Sequence, residues 1–392
     1  MPTSQNDYLY ANMNFSLNII SFDIPYPPNY GGVIDVFYKI KELHAAGVKI
    51  HLHCFEYGRA HSKELEALCE KVYYYKRKTG IMNIFSMLPY NVKSRQSEEL
   101  AKNLLSNDFP ILFEVLHTCY LMSDERFKDR FKIYRHSNIE HDYYYHLAQS
   151  EKRTFKKVYL KEEARKLKNY ESVIAHANLI LAVNKSDCDY FRENFPEVPA
   201  EFLPSFHPNN EVVSKSGSGN YVLYNGNLSV SENYSAVSWL VKNVFCKTDV
   251  RVIIAGLNPP SFLETLIRPY PHIQLVTNPT ESRMQDLIQN AQAHVLYTEQ
   301  STGLKLKLLN ALFKGRFIIC NDKMLHGTGI VASSGVIVSS TGKEMIDSVN
   351  KIMNVDFGEE ILLERKKQCD KFSNKKNVEQ LISLSFRPKG GI

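Results

Sequence analysis

The residues that could do chemistry fall into four groups. The first is Ser301-Thr302-Gly303-Leu304-Lys305-Leu306-Lys307-Leu308-Leu309-Asn310-Ala311-Leu312, followed by Gly315 and the apolar run 317–319. Gly303 stands where a turn opens into a helix, and Lys305 and Lys307 fall in its first turn. The first N–H groups of a helix lack partners, and the macrodipole makes that end positive. Lysines there are electrostatically misplaced unless an anion neutralises them, so the pattern predicts a diphosphate ligand. Their spacing of two puts them on different faces, so only one is expected to point into a cleft, and the plain alternative is two solvated lysines on an otherwise apolar helix. The second group is Asn29-Tyr30-Gly31-Gly32, a glycine pair between a strand and a helix. It either lets backbone N–H groups approach phosphate oxygens or serves as a plain tight turn. It is not a GxGxxG fingerprint, and the chain contains no P-loop. Third, Glu114-Val115-Leu116-His117-Thr118 closes a strand, which places His117 at the carboxyl edge of a parallel sheet, facing a cleft. The fourth group, 135–144 (RHSNIEHDYY), has no zinc-protease or facial-triad spacing. It reads as a loop of hydrogen-bonding groups that suits a polar ligand, or capping and packing.

These groups need strands and helices to position them. Residues 15–22 (FSLNIISF) read as a buried strand, 33–46 as an amphipathic helix ended by Gly47, and 48–55 as a second strand. Together they span one βαβ unit. Further strands are expected at 71–75, 111–116, 132–136 and 179–183, and a long helix at 156–177. The run 207–220 (HPNNEVVSKSGSGN) is polar and Ser/Gly-rich, the pattern of a linker. Strand–helix alternation then restarts, with strands at 221–224, 250–255, 273–276, 293–297 and 316–320. Helices are expected at 233–244, 283–290, 304–313, 347–353, 361–372 and 378–385. The expectation is two α/β halves with one ligand site between them.

The 302–319 segment resembles the donor-binding segment of the retaining family 4 glycosyltransferases, which have the GT-B architecture: glycine turn, basic helix, then glycine and an apolar strand. Gly303, Lys307, Leu309, Ala311, Gly315 and 317–319 carry the likeness. Asn29-Tyr30-Gly31-Gly32 resembles the N-terminal glycine loop, Asn225-Gly226-Asn227 the first strand–loop of the donor domain, and Gly256 the glycine after its second strand. The resemblance implies two Rossmann-like domains whose parallel sheets face a central cleft. The acceptor side would be 1–207, with the C-terminal helix (372–392) packing back on it, and the nucleotide-sugar donor domain 218–371. It also implies sugar transfer with retention from a nucleotide diphosphate sugar to a glycan or lipid-linked acceptor, with no metal and no further cofactor. His117 and Lys307 are the catalytic candidates. Gly31, Gly32, Gly226, Asn227, Thr302, Gly303, Lys305 and Asn310 are the donor-binding candidates. Thr302 and Asn310 stand where the family carries two glutamates, and the loop 228–232 lacks the family's Arg and Lys. A non-catalytic sugar-nucleotide-binding protein and a GT-B sugar-nucleotide epimerase therefore stand beside the transferase reading.

Composition agrees with a globular chain. Hydrophobic residues make up 44% and charged residues 23%, too apolar for disorder. A net charge of +6 is too mild for a nucleic-acid binder but permits an anionic ligand or membrane face. The seven cysteines are scattered, which argues for reduced thiols and a cytoplasmic location. No stretch has the length and apolarity of a signal peptide or a bilayer span. The basic, tyrosine-bearing stretches 71–78 and 152–168 leave room for peripheral membrane contact at the inner face.

Overall fold

In a computed structural model, which describes residues 15–151, 153–301, 303–333 and 335–386, the chain forms two compact units. One holds 15–148, 153–208 and 374–386, and the other holds 149–151 and 209–373.

Short apolar runs between helices favour parallel strands buried on both faces. The first unit has seven: β1 (Ser16–Ser21), β2 (Lys49–Glu56), β3 (Lys71–Lys76), β4 (Ile111–Glu114), β5 (Lys132–Arg135), β6 (Leu179–Ala182) and β7 (Ala200–Phe202). All pair in parallel, in the order β3-β2-β1-β4-β5-β6-β7. Helix α1 (Gly31–Ala45) buries Val33, Val36, Ile40 and Leu43 at helical spacing. It ends where Gly47 adopts a φ of 81°, with the Ala46 and Gly47 N–H groups closing on Glu42 and His44 carbonyls. Because α1 begins at Gly31, the glycine pair is the helix's first two residues and not a turn before it. Two later helices are α2 (Glu140–Ser150) and α3 (Thr154–Tyr170). The helix expected over 156–177 thus ends at Tyr170, and a 3-10 helix, Glu171–His176, takes over.

The second unit repeats the plan with β8 (Val222–Asn227), β9 (Val252–Leu257), β10 (Ile273–Thr277), β11 (Ala293–Leu296), β12 (Phe317–Cys320) and β13 (Val336–Val338). Their order is β10-β9-β8-β11-β12-β13, again all parallel. Helix α4 (Ser231–Asn243) follows β8, and α5 (Leu306–Lys314) lies between β11 and β12. The polar run expected to be a flexible linker is bound to this unit instead. The Val213 N–H donates to the Phe313 carbonyl at 2.7 Å, Lys215 reaches Asn290, and Gly217 bridges Phe357. Lone backbone bonds of this kind leave no hydrophobic pattern for the sequence to show. The last described helix, α6 (Asn374–Ser385), packs Val378, Leu381 and Ile382 into the core formed by α1, β1 and β2 in the first unit.

A buried four-charge network ties α1 to its sheet. Lys39 lies 2.6 Å from Glu114 at the end of β4 and 3.2 Å from Asp35. Arg135 at the end of β5 reaches Asp35 at 3.3 Å and donates to the Leu203 and Pro204 carbonyls. Burial works against the Asp35 charge, but Arg135, Lys39 and the Phe206 N–H outweigh it and hold its carboxyl below the usual range. Removing one member would leave an opposite charge unpaired in the interior, a loss of about 3–5 kcal/mol.

Candidate functional site

In open parallel sheets ligands bind beyond the carboxyl ends of the strands, where the strand order reverses. That point lies between β8 and β11 in the second unit and between β1 and β4 in the first.

At the β8/β11 point, α5 begins at Leu306, with Lys305 as its N-cap residue. The helix therefore starts two residues later than expected. Gly303 precedes it with a φ of 71°, a conformation that favours glycine. Both lysines turn towards α4. Lys305 Nζ lies 3.4 Å from Glu232 Oε1. Lys307 donates to Asn233 Oδ1 at 2.5 Å and to the Tyr224 hydroxyl at 3.2 Å, over the Tyr224 ring. The expectation that only one of them points inward is thus corrected: Glu232 takes Lys305, while Asn233 and Tyr224 take Lys307. Burial lowers the Lys307 pKa to about 8, although Glu232 pulls it upward. Burial also opposes the Glu232 charge, but Lys305, Lys307 and a 2.8 Å hydrogen bond from Thr298 outweigh it and keep the carboxylate ionised. Two cations and one anion therefore meet at this edge. Two buried acceptors at the same edge, Asn225 Oδ1 and Gln300 Oε1, have no partner among the described residues.

Among the other donor-binding candidates in this unit, Gly226, Asn227 and Asn310 have separate duties. Gly226 is the penultimate residue of β8, and a Cβ there would come within 3.3 Å of Asn233, which holds Lys307. The Asn227 side chain accepts from the Ser229 N–H and hydroxyl, so it shapes the loop. Asn310 accepts a 3.0 Å hydrogen bond from Asn209. Thr302 lies outside the described residues.

At the β1/β4 point, five strand ends contribute. Asp23 follows β1 and accepts from the Tyr30 hydroxyl at 2.9 Å, with Arg59 Nε at 3.3 Å. Arg77, just after β3, donates to Ser94 and Asn91. Arg95 is buried and donates to the Phe22 and Asn91 carbonyls. Neither Arg77 nor Arg95 has a carboxylate within 4.0 Å among the described residues. His117 follows β4 in a 3-10 helix, Leu116–Leu121, with Nε2 3.4 Å from Glu140 Oε2 on α2. Burial, then Arg95 and Arg77, push the His117 pKa far down. Burial raises Glu140 to about 8 against the pull of Arg95, with Glu171 adding to the rise. The pair is thus a neutral imidazole beside a protonated carboxyl. Gly31 and Gly32 open α1 at this edge, and a Cβ on Gly32 would come 2.6 Å from the Phe22 ring, a packing reason for that glycine. Sequence reasoning missed Glu232, Arg59, Arg95 and the His117–Glu140 pairing. Their partners come from strands that only the sheet order makes neighbours. Arg77 was visible, but only as part of a basic run.

No protein-family model matches the chain. Over 340 residues it is 25% identical to an uncharacterized 44.6 kDa protein in the cps region of Klebsiella pneumoniae, covering 82% of this chain and 87% of that protein. Among solved structures, sucrose-phosphate synthase from Thermosynechococcus elongatus matches with a TM-score of 0.62 and 11% identity over 95% of each chain. S. aureus TarM, in a complex that includes UDP, gives a TM-score of 0.62 and 11% identity over 95% of this chain and 99% of its own. Anabaena HepE bound to UDP-glucose gives 0.62 and 10% over 95% of this chain and 100% of its own. At such identities what is shared is the architecture: the chain has the GT-B fold, with two Rossmann-like α/β units built on parallel sheets of seven and six strands.

Proposed function

We propose that the protein is a glycosyltransferase that moves a sugar from a nucleoside diphosphate sugar to a glycan or lipid-linked acceptor, with retention and without a metal ion. The observation that carries this reading is the convergence of Lys305 and Lys307 at the β8/β11 point of a GT-B chain. The nucleotides bound to TarM and HepE support it, as does the relative from a cps region. In the transfer, the bond from the anomeric carbon to the diphosphate oxygen breaks, and its electron pair leaves with the diphosphate. The acceptor oxygen bonds the same carbon, and its proton passes to the departing phosphate. Charge grows on the diphosphate as it leaves, and Lys305 and Lys307 meet it in a partly dry setting where their field is strong. Asn225 and Gln300 offer acceptors for ribose or sugar hydroxyls. Neutral His117, beside protonated Glu140, offers a ring nitrogen to a sugar hydroxyl without adding charge.

A second reading, a sugar-nucleotide-binding protein without turnover, draws on Glu232, which already neutralises one lysine charge, and on Asn310, whose oxygen is taken by Asn209. One experiment separates the readings. Thermal stability is measured with a panel of nucleoside diphosphates and their sugars, and each stabilising donor is then incubated with and without acceptors and a chelator. Ligand at 100 times its Kd stabilises by about 2.7 kcal/mol. Donor-specific stabilisation with acceptor-dependent release of the nucleotide is expected. Stabilisation without release favours the second reading, conversion of donor alone indicates an epimerase, and no stabilisation by any donor refutes the proposal.

A further inference from the structure

The 3-10 helix Ile81–Phe85 and the residues after it present an apolar face that nothing in the first unit covers. Ile81, Met82, Phe85 and Met87 are 75, 74, 77 and 83% exposed. Helix α3 adds to the same face. Its Glu163 accepts the Tyr90 N–H at 2.7 Å, and its Lys166 donates to the Ile84 carbonyl at 2.7 Å, so α3 lies against 84–90. Phe155, 93% exposed, shares the helical face of Tyr159, Glu163 and Lys166, two turns nearer the start of α3. Val158 beside it is also exposed.

The segments that present the apolar side chains carry charge of one sign. Residues 71–97 and 153–161 contain no Asp or Glu. Lys78, Arg153, Lys156 and Lys161 are exposed within them. Large exposed apolar side chains on segments whose only charges are cations match the interfacial region of a bilayer, where acyl chains lie beneath anionic headgroups. Two copies meeting through this face would bring like charges together, which disfavours self-association. No helix among the described residues is long and apolar enough to cross a membrane, so the contact would be interfacial.

We propose that this face docks the protein on an anionic lipid bilayer, with Phe85, Met87 and Phe155 entering the headgroup layer. The inference is independent of the glycosyltransferase reading, because it concerns exposed residues that the sugar-transfer reading does not use and is tested without nucleotide. The full chain is floated with phosphatidylcholine vesicles and with vesicles carrying about one third phosphatidylglycerol, at low and high salt. Binding to the anionic vesicles is expected, weaker by about tenfold on neutral vesicles or at high salt. The triple variant Phe85→Ser, Met87→Ser, Phe155→Ser should lose about tenfold in binding while keeping its melting temperature. Lys156→Ser with Lys161→Ser should flatten the salt dependence. Failure of the wild-type protein to float with anionic vesicles would overturn the proposal, as would undiminished binding by the triple variant. So would a dimer in solution that the triple variant dissociates.

Discussion

Replacing Glu140 with glutamine should make the protein more stable as pH rises, although it deletes a buried acid. In the folded chain burial raises the Glu140 pKa to about 8, against an ordinary value of 4.5. Between those values the native state holds a proton that the unfolded state has lost, so wild-type stability falls as pH rises across that window and levels off above it. Each pH unit costs about 1.4 kcal/mol, so by pH 7 the loss is about 3 kcal/mol. Glutamine is neutral throughout, fills the same volume and can still donate to His117 Nε2, the near neighbour at 3.4 Å. Glu140→Gln should therefore match the wild type near pH 4.5, exceed it by about 3 kcal/mol at pH 7, and gain no more above pH 8. Urea unfolding followed by circular dichroism at stepped pH gives both slopes, and infrared difference spectra across the titration report the protonated carboxyl directly. Equal slopes in the two proteins, or no carboxyl band lost in the variant, would refute the neutral-pair assignment and with it the uncharged His117.

Glu232→Gln removes the internal anion between Lys305 and Lys307, and should tighten nucleoside diphosphate binding about tenfold by calorimetry, while Lys307→Met should weaken it at least as much. Weaker binding in Glu232→Gln would make that carboxylate a contact for the ligand instead of a counter-ion. Gly256→Ala tests the close approach of two strand ends, since its Cβ would lie 2.0 Å from the Gly226 carbonyl oxygen and 2.7 Å from Leu228. A loss of about 3 kcal/mol or more is expected in thermal or urea melts, against little change for Gly80→Ala, which meets nothing within 4 Å.

Much of the scaffold was legible because its signals are local. The run from β1 through α1 to β2 shows a buried apolar segment, helical spacing at Val33, Val36, Ile40 and Leu43, and a glycine stop. The strands β7 and β13 were not legible, since three residues each are too few to display a period. The start of α5 was misplaced by two residues because Gly303 reads as a helix entrance, whereas the chain needs the further turn through Lys305 to aim both lysines at α4. The sites were half legible for the same reason. Lysines at a helix start are visible in one dimension, but the carboxylate that answers them comes from the first turn of α4, which follows another strand. Arg95 meets the Phe22 carbonyl, and His117 meets Glu140, only once β1, β4 and β5 stand side by side.

The two strand-edge sites handle their carboxyl groups in opposite ways, and the difference follows from their neighbours. Glu232 loses hydration, yet two ammonium groups and the Thr298 hydroxyl return more than the burial removes, so it stays ionised and cancels one of two positive charges. Glu140 loses hydration with Arg95 as its cationic neighbour and the Glu171 carboxylate opposing it, so it keeps its proton and cancels nothing. Burial holds His117 uncharged, and the guanidinium groups of Arg95 and Arg77, which thereby keep their field, add to it. At one edge a single positive charge remains, next to the Glu232 anion. At the other, the positive charge is left uncancelled beside a neutral imidazole, a setting that favours an anionic or hydroxyl-rich substrate over a cationic one.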